Sequence, residues 1–193
     1  MTASSFIEKL KDAASSKTLY VKGGFGAPLG YGSNKRRYID LYQYNAGRAS
    51  MIKEASDDTF AFDCVCLGKG ILWGWTGDPD KVYGGAVYES NGVPDFAYTD
   101  VPKLCNDYST DFTHILPGEW LYMTGHIGYY IGDGLVIEST PKWENGVQIT
   151  KLEGRGWLGH GKIRFLEYEE ESSGSSICCP CCGTPLRIQV LRG

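Results

Sequence analysis

Residues 120–123, 126–131, 135–139, 147–152 and 162–168 form a series of short, strand-like runs separated by turn residues, notably Gly132-Asp133-Gly134 and Asn145-Gly146. Turn residues at such spacing fold each run back on the one before, so the second half of the chain is predicted to be an antiparallel meander. The 26 glycines and 13 tyrosines fit tight turns and half-buried strands rather than a helical bundle. Ahead of the meander, Leu67, Ile71, Leu72 and Trp75 share one helical face in a segment that starts at Cys64. Gly68, Gly70 and Gly74 each cost that helix about 1 kcal/mol against Ala, which close packing on the sheet would offset. The expected class is α+β, with a helix N-terminus packed on an antiparallel sheet.

A chain of 193 residues holds one sizeable core plus an appendage. Residues 1–168 are read as one domain, 169–176 as a Ser-rich acidic linker and 177–193 as a cysteine-rich tail. Ser5 and Glu8 have capping-box spacing before an apolar stripe, which predicts an N-terminal helix. A short strand is expected over 18–22. Residues 28–59 are polar and aperiodic and read as a long surface insertion. Residues 77–118 read as loops with one short helix around 101–107.

The net charge of −4 excludes a general attraction for nucleic acid, for which the cluster Lys35-Arg36-Arg37 is too small. The opening residues contain neither a signal peptide nor a membrane span, so synthesis in the cytoplasm is expected. With seven cysteines, an odd number, and four of them crowded at 178–182, reduced thiols are expected rather than a disulfide framework.

Three histidines restrict where acid–base chemistry can sit. Cys64 stands at a predicted helix start, where unpaired N–H groups and the helix dipole favour a thiolate. The plainer reading of any one cysteine is a small buried hydrophobe. His126 opens a strand that otherwise reads as buried, and a polar residue there needs a reason. A hairpin reversing around Asp133 sets Glu138 opposite Gly128, one pair along from His126. Diagonal neighbours of this kind lie about 7–8 Å apart at Cα, so Glu138 either orients the imidazole as the third member of a triad or is a strand residue facing solvent.

Several stretches resemble one known family. Phe62-Asp63-Cys64 resembles the nucleophile motif of the NlpC/P60 cell-wall cysteine peptidases. Residues 118–123 (Gly-Glu-Trp-Leu-Tyr-Met) resemble a strand of that family, and residues 126–134 (His-Ile-Gly-Tyr-Tyr-Ile-Gly-Asp-Gly) resemble its base-bearing run. The resemblance spans roughly residues 18–168 and implies a papain-like NlpC/P60 core with Cys64 as nucleophile, His126 as base and Glu138 at the third position, where the family often has histidine. Tyr20 ahead of Gly23-Gly24 is similar to the family's tyrosine near the oxyanion, although its distance from Cys64 in sequence is longer than usual. Asp63 is read as capping the helix or touching substrate. Trp73, Trp75, Trp120 and Trp143 are core residues or groove linings.

The stretch as a whole is similar to catalytic domains of phage and prophage lysins. What this implies is a thiol endopeptidase acting on the stem peptide of bacterial peptidoglycan, needing no cofactor for catalysis and reaching the wall through a separate membrane pore. An N-acetylmuramoyl-L-alanine amidase or a transpeptidase would use the same acyl-enzyme. A wall-binding or virion module without activity is the non-enzymatic alternative.

In the tail, Cys179-Pro180-Cys181-Cys182-Gly183 has the C-x-x-C-G spacing of a zinc knuckle, with Cys179 and Cys182 as ligands. One knuckle supplies two of the four ligands of a structural zinc site. The sequence leaves open a metal-linked homodimer through two tails and a thiol-rich end with no metal.

Overall fold

A computed structural model describes residues 1–169. The predicted linker beyond Glu169 and the predicted zinc ligands Cys179 and Cys182 lie outside the described residues.

The fold is α+β. Helix α1 (Ala3–Ser15) begins earlier than the Ser5/Glu8 pattern suggests: Thr2 is the cap, its Oγ1 accepting from the Ser5 N–H at 3.1 Å. The reason is tertiary, because the backbone at Thr2 bridges to Glu167 and the Ala3 N–H donates to the Glu167 carbonyl at 2.9 Å. Strand β1 (Thr18–Tyr20) and strand β2 (Phe25–Pro28) flank β3 (Phe60–Phe62) in a small sheet. β1 runs parallel to β3 with Tyr20 beside Phe62, and β2 runs antiparallel to it with Pro28 beside Phe60.

The excursion between those strands is not the irregular segment predicted for residues 28–59. It forms three short helices, α2 (Asn34–Leu41), α3 (Gln43–Ala46) and α4 (Ala49–Glu54). They close a second small core in which Tyr38 and Ile52 pack with Leu19, Val21, Leu29 and Ala61. Among them these helices bury two apolar residues, Tyr38 and Ile52, beside two asparagines, Asn34 and Asn45, so no apolar period marks them in the sequence.

Helix α5 (Cys64–Leu72) begins at Cys64 as expected, directly after β3. After a long loop come α6 (Val101–Leu104) and β4 (Cys105–Ser109); the exposed, polar Cys-Asn-Asp-Tyr-Ser run hides this edge strand from a pattern reading. The meander then runs β5 (Trp120–Met123), β6 (His126–Gly132), β7 (Leu135–Thr140), β8 (Gly146–Lys151) and β9 (Gly159–Ile163). The six strands order as β4-β9-β5-β6-β7-β8, antiparallel throughout.

The last strand is a correction: β9 starts at Gly159, ahead of the predicted 162–168. Glycines at 159 and 161 make the shift work, since a Cβ would lie 2.2 Å from the Tyr108 hydroxyl at the first and 2.6 Å from the Cys105 Cβ at the second. Only bare backbone passes under β4 there.

Helices α1 and α5 cover one face of the large sheet, bringing Phe6, Leu10, Leu67 and Ile71 together with Ile127, Tyr129 and Ile137. Trp73, Trp75 and Trp120 belong to this core, while Trp143 is exposed. No helix among the described residues is long and apolar enough to cross a membrane.

Candidate active site

The chain leaves β3 at Asp63 in an extended conformation and turns directly into α5. Asp63 caps the helix: Oδ1 accepts from the Cys66 N–H at 2.7 Å, and Oδ2 accepts from the Gly23 N–H at 2.7 Å. One carboxylate thereby ties the first turn of α5 to the β1–β2 turn. Both of its oxygens accept from backbone, as those of a helix cap do.

The glycines that weaken α5 as a helix are what seat it. A Cβ at Gly68 would lie 2.5 Å from the Tyr129 hydroxyl, and one at Gly70 would lie 2.3 Å from the Phe25 carbonyl oxygen. The Gly68 N–H donates to the Tyr129 hydroxyl at 2.9 Å, and that hydroxyl reaches the carbonyls of Cys64 at 3.0 Å and Val65 at 3.2 Å. Tyr129 therefore fixes β6 against the first turn of α5. That register sets the Ile127 backbone where it draws the Cys64 thiol pKa down, as the backbone of Val65 and of Cys64 itself does. His126 is the next residue along the strand.

Cys64 is 7% exposed. Burial pushes its thiol up to about 12, and the Asp63 carboxylate adds to the rise, against the pull of those three backbone groups. The resting sulfur is thus a thiol at neutral pH. Tyr20, although far away in sequence, arrives at the same sulfur because β1 lies beside β3. Its hydroxyl is held in the neutral form by burial first, then by its proximity to Cys64 and Asp63. Arg48 of the excursion grips the Tyr20 carbonyl and the Asn145 side chain and lies over the Tyr20 and Tyr44 rings at 5.6 and 5.5 Å.

His126 and Glu138 meet as predicted. The pairs Tyr129↔Ile137 and Tyr130↔Val136, continued by one, set Glu138 opposite Gly128. His126 Nε2 then lies 2.6 Å from Glu138 Oε2. Glu138 is fully buried and its other partners are ones the sequence reading missed. Thr150 donates to Oε1 at 2.6 Å, Arg155 Nε donates to Oε1 at 2.9 Å, and the Arg155 Nη2 donates to Oε2. Burial alone raises the Glu138 pKa, but the bonds from His126, Arg155 and Thr150 outweigh it and bring the carboxyl down to about 2.

Arg155 itself lies against the rings of Trp143 at 4.8 Å and Trp157 at 5.5 Å, and Trp157 stacks on His126 with centroids 5.8 Å apart. Gly128 leaves room for that indole, since a Cβ there would come within 2.7 Å of it. The only signal for Arg155 in the sequence is its setting between Gly154 and Gly156, both with positive φ, ahead of a tryptophan.

A cleft of about 870 Å³ opens on Cys64, walled by β1, the excursion, α5 and the loop after it. Tyr20, Tyr42, Tyr44, Trp73 and Tyr88 give it an aromatic lining, and Asp63 and Cys66 also reach it. Among the described residues no group of three or more His, Cys, Asp or Glu side chains is arranged to hold a metal ion. No protein-family model matches the chain, and no curated protein matches it.

Proposed function

We propose that this chain is a peptidoglycan hydrolase of the papain-like NlpC/P60 kind, a thiol endopeptidase that cuts cell-wall stem peptide through an acyl-enzyme on Cys64. The observation that carries the reading is the junction of α5 and β6. Cys64 opens the helix that Tyr129 ties to β6, and His126, at the start of that strand, is oriented by a buried, ionised Glu138.

With Nε2 engaged by Glu138, Nδ1 is the nitrogen left to exchange a proton. The Cys64 thiol gives its proton to His126 Nδ1 as the sulfur attacks the peptide carbonyl carbon, forming the C–S bond. The first-turn N–H groups and the Tyr20 hydroxyl stabilise the oxyanion. Collapse breaks the C–N bond, and the imidazolium returns the proton to the leaving amine. Water, deprotonated by His126, then cleaves the thioester and restores the thiol. Glu138 keeps one tautomer and offsets the imidazolium charge. Release of the enzyme to the wall through a separate membrane pore belongs to the same proposal.

The test is mass spectrometry of purified peptidoglycan digested by the wild type and by Cys64→Ala. Stem-peptide fragments from the wild type alone support the reading and identify the bond. If neither protein releases fragments from several wall chemotypes, the hydrolase reading fails.

A further inference from the structure

The cleft is electrostatically lopsided in a way the catalytic residues do not explain. Three cations (Lys22, Arg37 and Lys69) and two carboxylates (Asp63 and Asp95) line it, on a chain whose net charge is −4. Both carboxylates are spoken for. Asp63 accepts two backbone N–H groups. Asp95 is paired with Lys69, which is buried and also donates to the Phe96 carbonyl at 2.8 Å.

The remaining two cations have no carboxylate partner among the described residues. Lys22 lies 5.4 Å from the centre of the Tyr42 ring. Arg37 is held by aromatic groups: Nη1 donates to the Tyr83 hydroxyl at 2.7 Å, and the guanidinium lies 5.1 Å from the Tyr83 ring centre. Its neighbours in the basic cluster behave differently, Lys35 pairing with Asp57 at 2.9 Å and Arg36 with Asp40 at 3.4 Å. Arg37 alone of the three turns to the cleft, with most of its five donors unspent.

We infer that Lys22 and Arg37 form a carboxylate-recognition subsite, so that the cleft takes a peptide carrying a free carboxylate and the helical excursion sets specificity. The inference rests on the proposed function only in naming a stem peptide as the source of that carboxylate. Cation–π contacts hold both side chains in place without neutralising them. A planar guanidinium beside a mobile ammonium suits a carboxylate that one group grips and the other attracts.

Calorimetric titration of full-length Cys64→Ala with two soluble muropeptides tests this, one with the glutamyl α-carboxyl free and one with it amidated. The free acid is expected to bind about tenfold more tightly, as loss of a hydrogen bond to a charged group implies, and rising salt is expected to narrow the gap. In the same background, Lys22→Gln with Arg37→Gln should bring the two affinities within about twofold of each other. Equal binding of both forms by Cys64→Ala, binding of neither, or discrimination that survives loss of both cations overturns the inference. Discrimination in binding by a protein that never cleaves peptidoglycan would sink the hydrolase reading and leave this subsite standing; cleavage without discrimination would do the reverse.

Discussion

Two histidine–carboxylate pairs are built into the large sheet, and they differ in what the second ring nitrogen does. His126 bonds Glu138 through Nε2, beside the helix that carries Cys64. His160, on β9, bonds Glu119 through Nδ1, but its Nε2 donates to the Asp111 carbonyl at 2.8 Å and its ring packs on Phe112 at 5.0 Å. A cysteine is close to this pair as well: Cys105 lies near enough to Glu119 for the carboxylate to add to the burial that pushes its thiol up to about 12. Residue types alone would nominate both clusters. A histidine with both nitrogens committed to protein is a cross-link between strand and loop, whereas one with a nitrogen to spare has the means to move a proton.

The sharpest way to break this contrast is by substitution of each histidine. His126→Gln is expected to lower peptidoglycan cleavage by a factor on the order of 10³ or more. His160→Gln is expected to leave cleavage within a few-fold and instead cost about 1–3 kcal/mol of stability through the unsatisfied Glu119, read by urea denaturation. Comparable activity losses from both would erase the distinction. Next in size, Glu138→Gln should reduce turnover by about 10²–10⁴. It should also destabilise the fold by about 3 kcal/mol, because Arg155 is left partly buried without its counter-charge.

The two carboxylates should also answer pH in opposite directions. Glu138 has a depressed pKa, so its contribution is present above the ordinary carboxyl range and is lost as pH falls from that range towards about 2. Glu119 is raised, chiefly by burial against the opposing pull of His160; the fold favours its protonated form, and its contribution fades as pH rises through that raised value. Denaturant titrations of wild type, Glu138→Gln and Glu119→Gln between pH 3 and 7 separate the two slopes, and slopes of the same sign would contradict the assignment.

The thiols give a smaller test. Alkylation of Cys64 by iodoacetamide should climb about tenfold per pH unit across the neutral and alkaline range, without a plateau near neutrality, and wall fragments should protect Cys64 but not Cys105. Smallest of all, Trp143→Ala removes an exposed cation–π partner of Arg155 and should cost about 0.5–1 kcal/mol with activity nearly unchanged.

Much of the candidate site was legible because it rests on local pattern and strand arithmetic. Helix α5 begins at Cys64, and the reversal around Asp133 places Glu138 opposite Gly128. The pair nearest the turn is Gly132↔Leu135, and a bulge between Tyr130 and Gly132 shifts the register by one, so that the pairs beyond it are those that counting from Asp133 gives. Thr150 and Arg155 were not legible. One lies on the next strand over, where Val136↔Thr150 is the pair, and the other comes from a loop that no period governs. The excursion was misread for a related reason: its helices are short and bury only one or two residues each, so their stability comes from contacts made elsewhere.

The rung Pro28↔Phe60 closes that excursion at its base, and its consequence concerns how such a protein can diversify. Both ends of residues 29–59 are pinned to neighbouring strands of the small sheet, Cys64 is positioned by β3, and Tyr20 is positioned by β1 together with Arg48 of the excursion. Doubling the length of a loop closed in this way costs only about 0.6 kcal/mol of closure entropy. The segment that supplies Arg37 is therefore a cassette open to lengthening at its turns, provided that Arg48 still reaches Tyr20 and that Tyr38 and Ile52 still fill the small core.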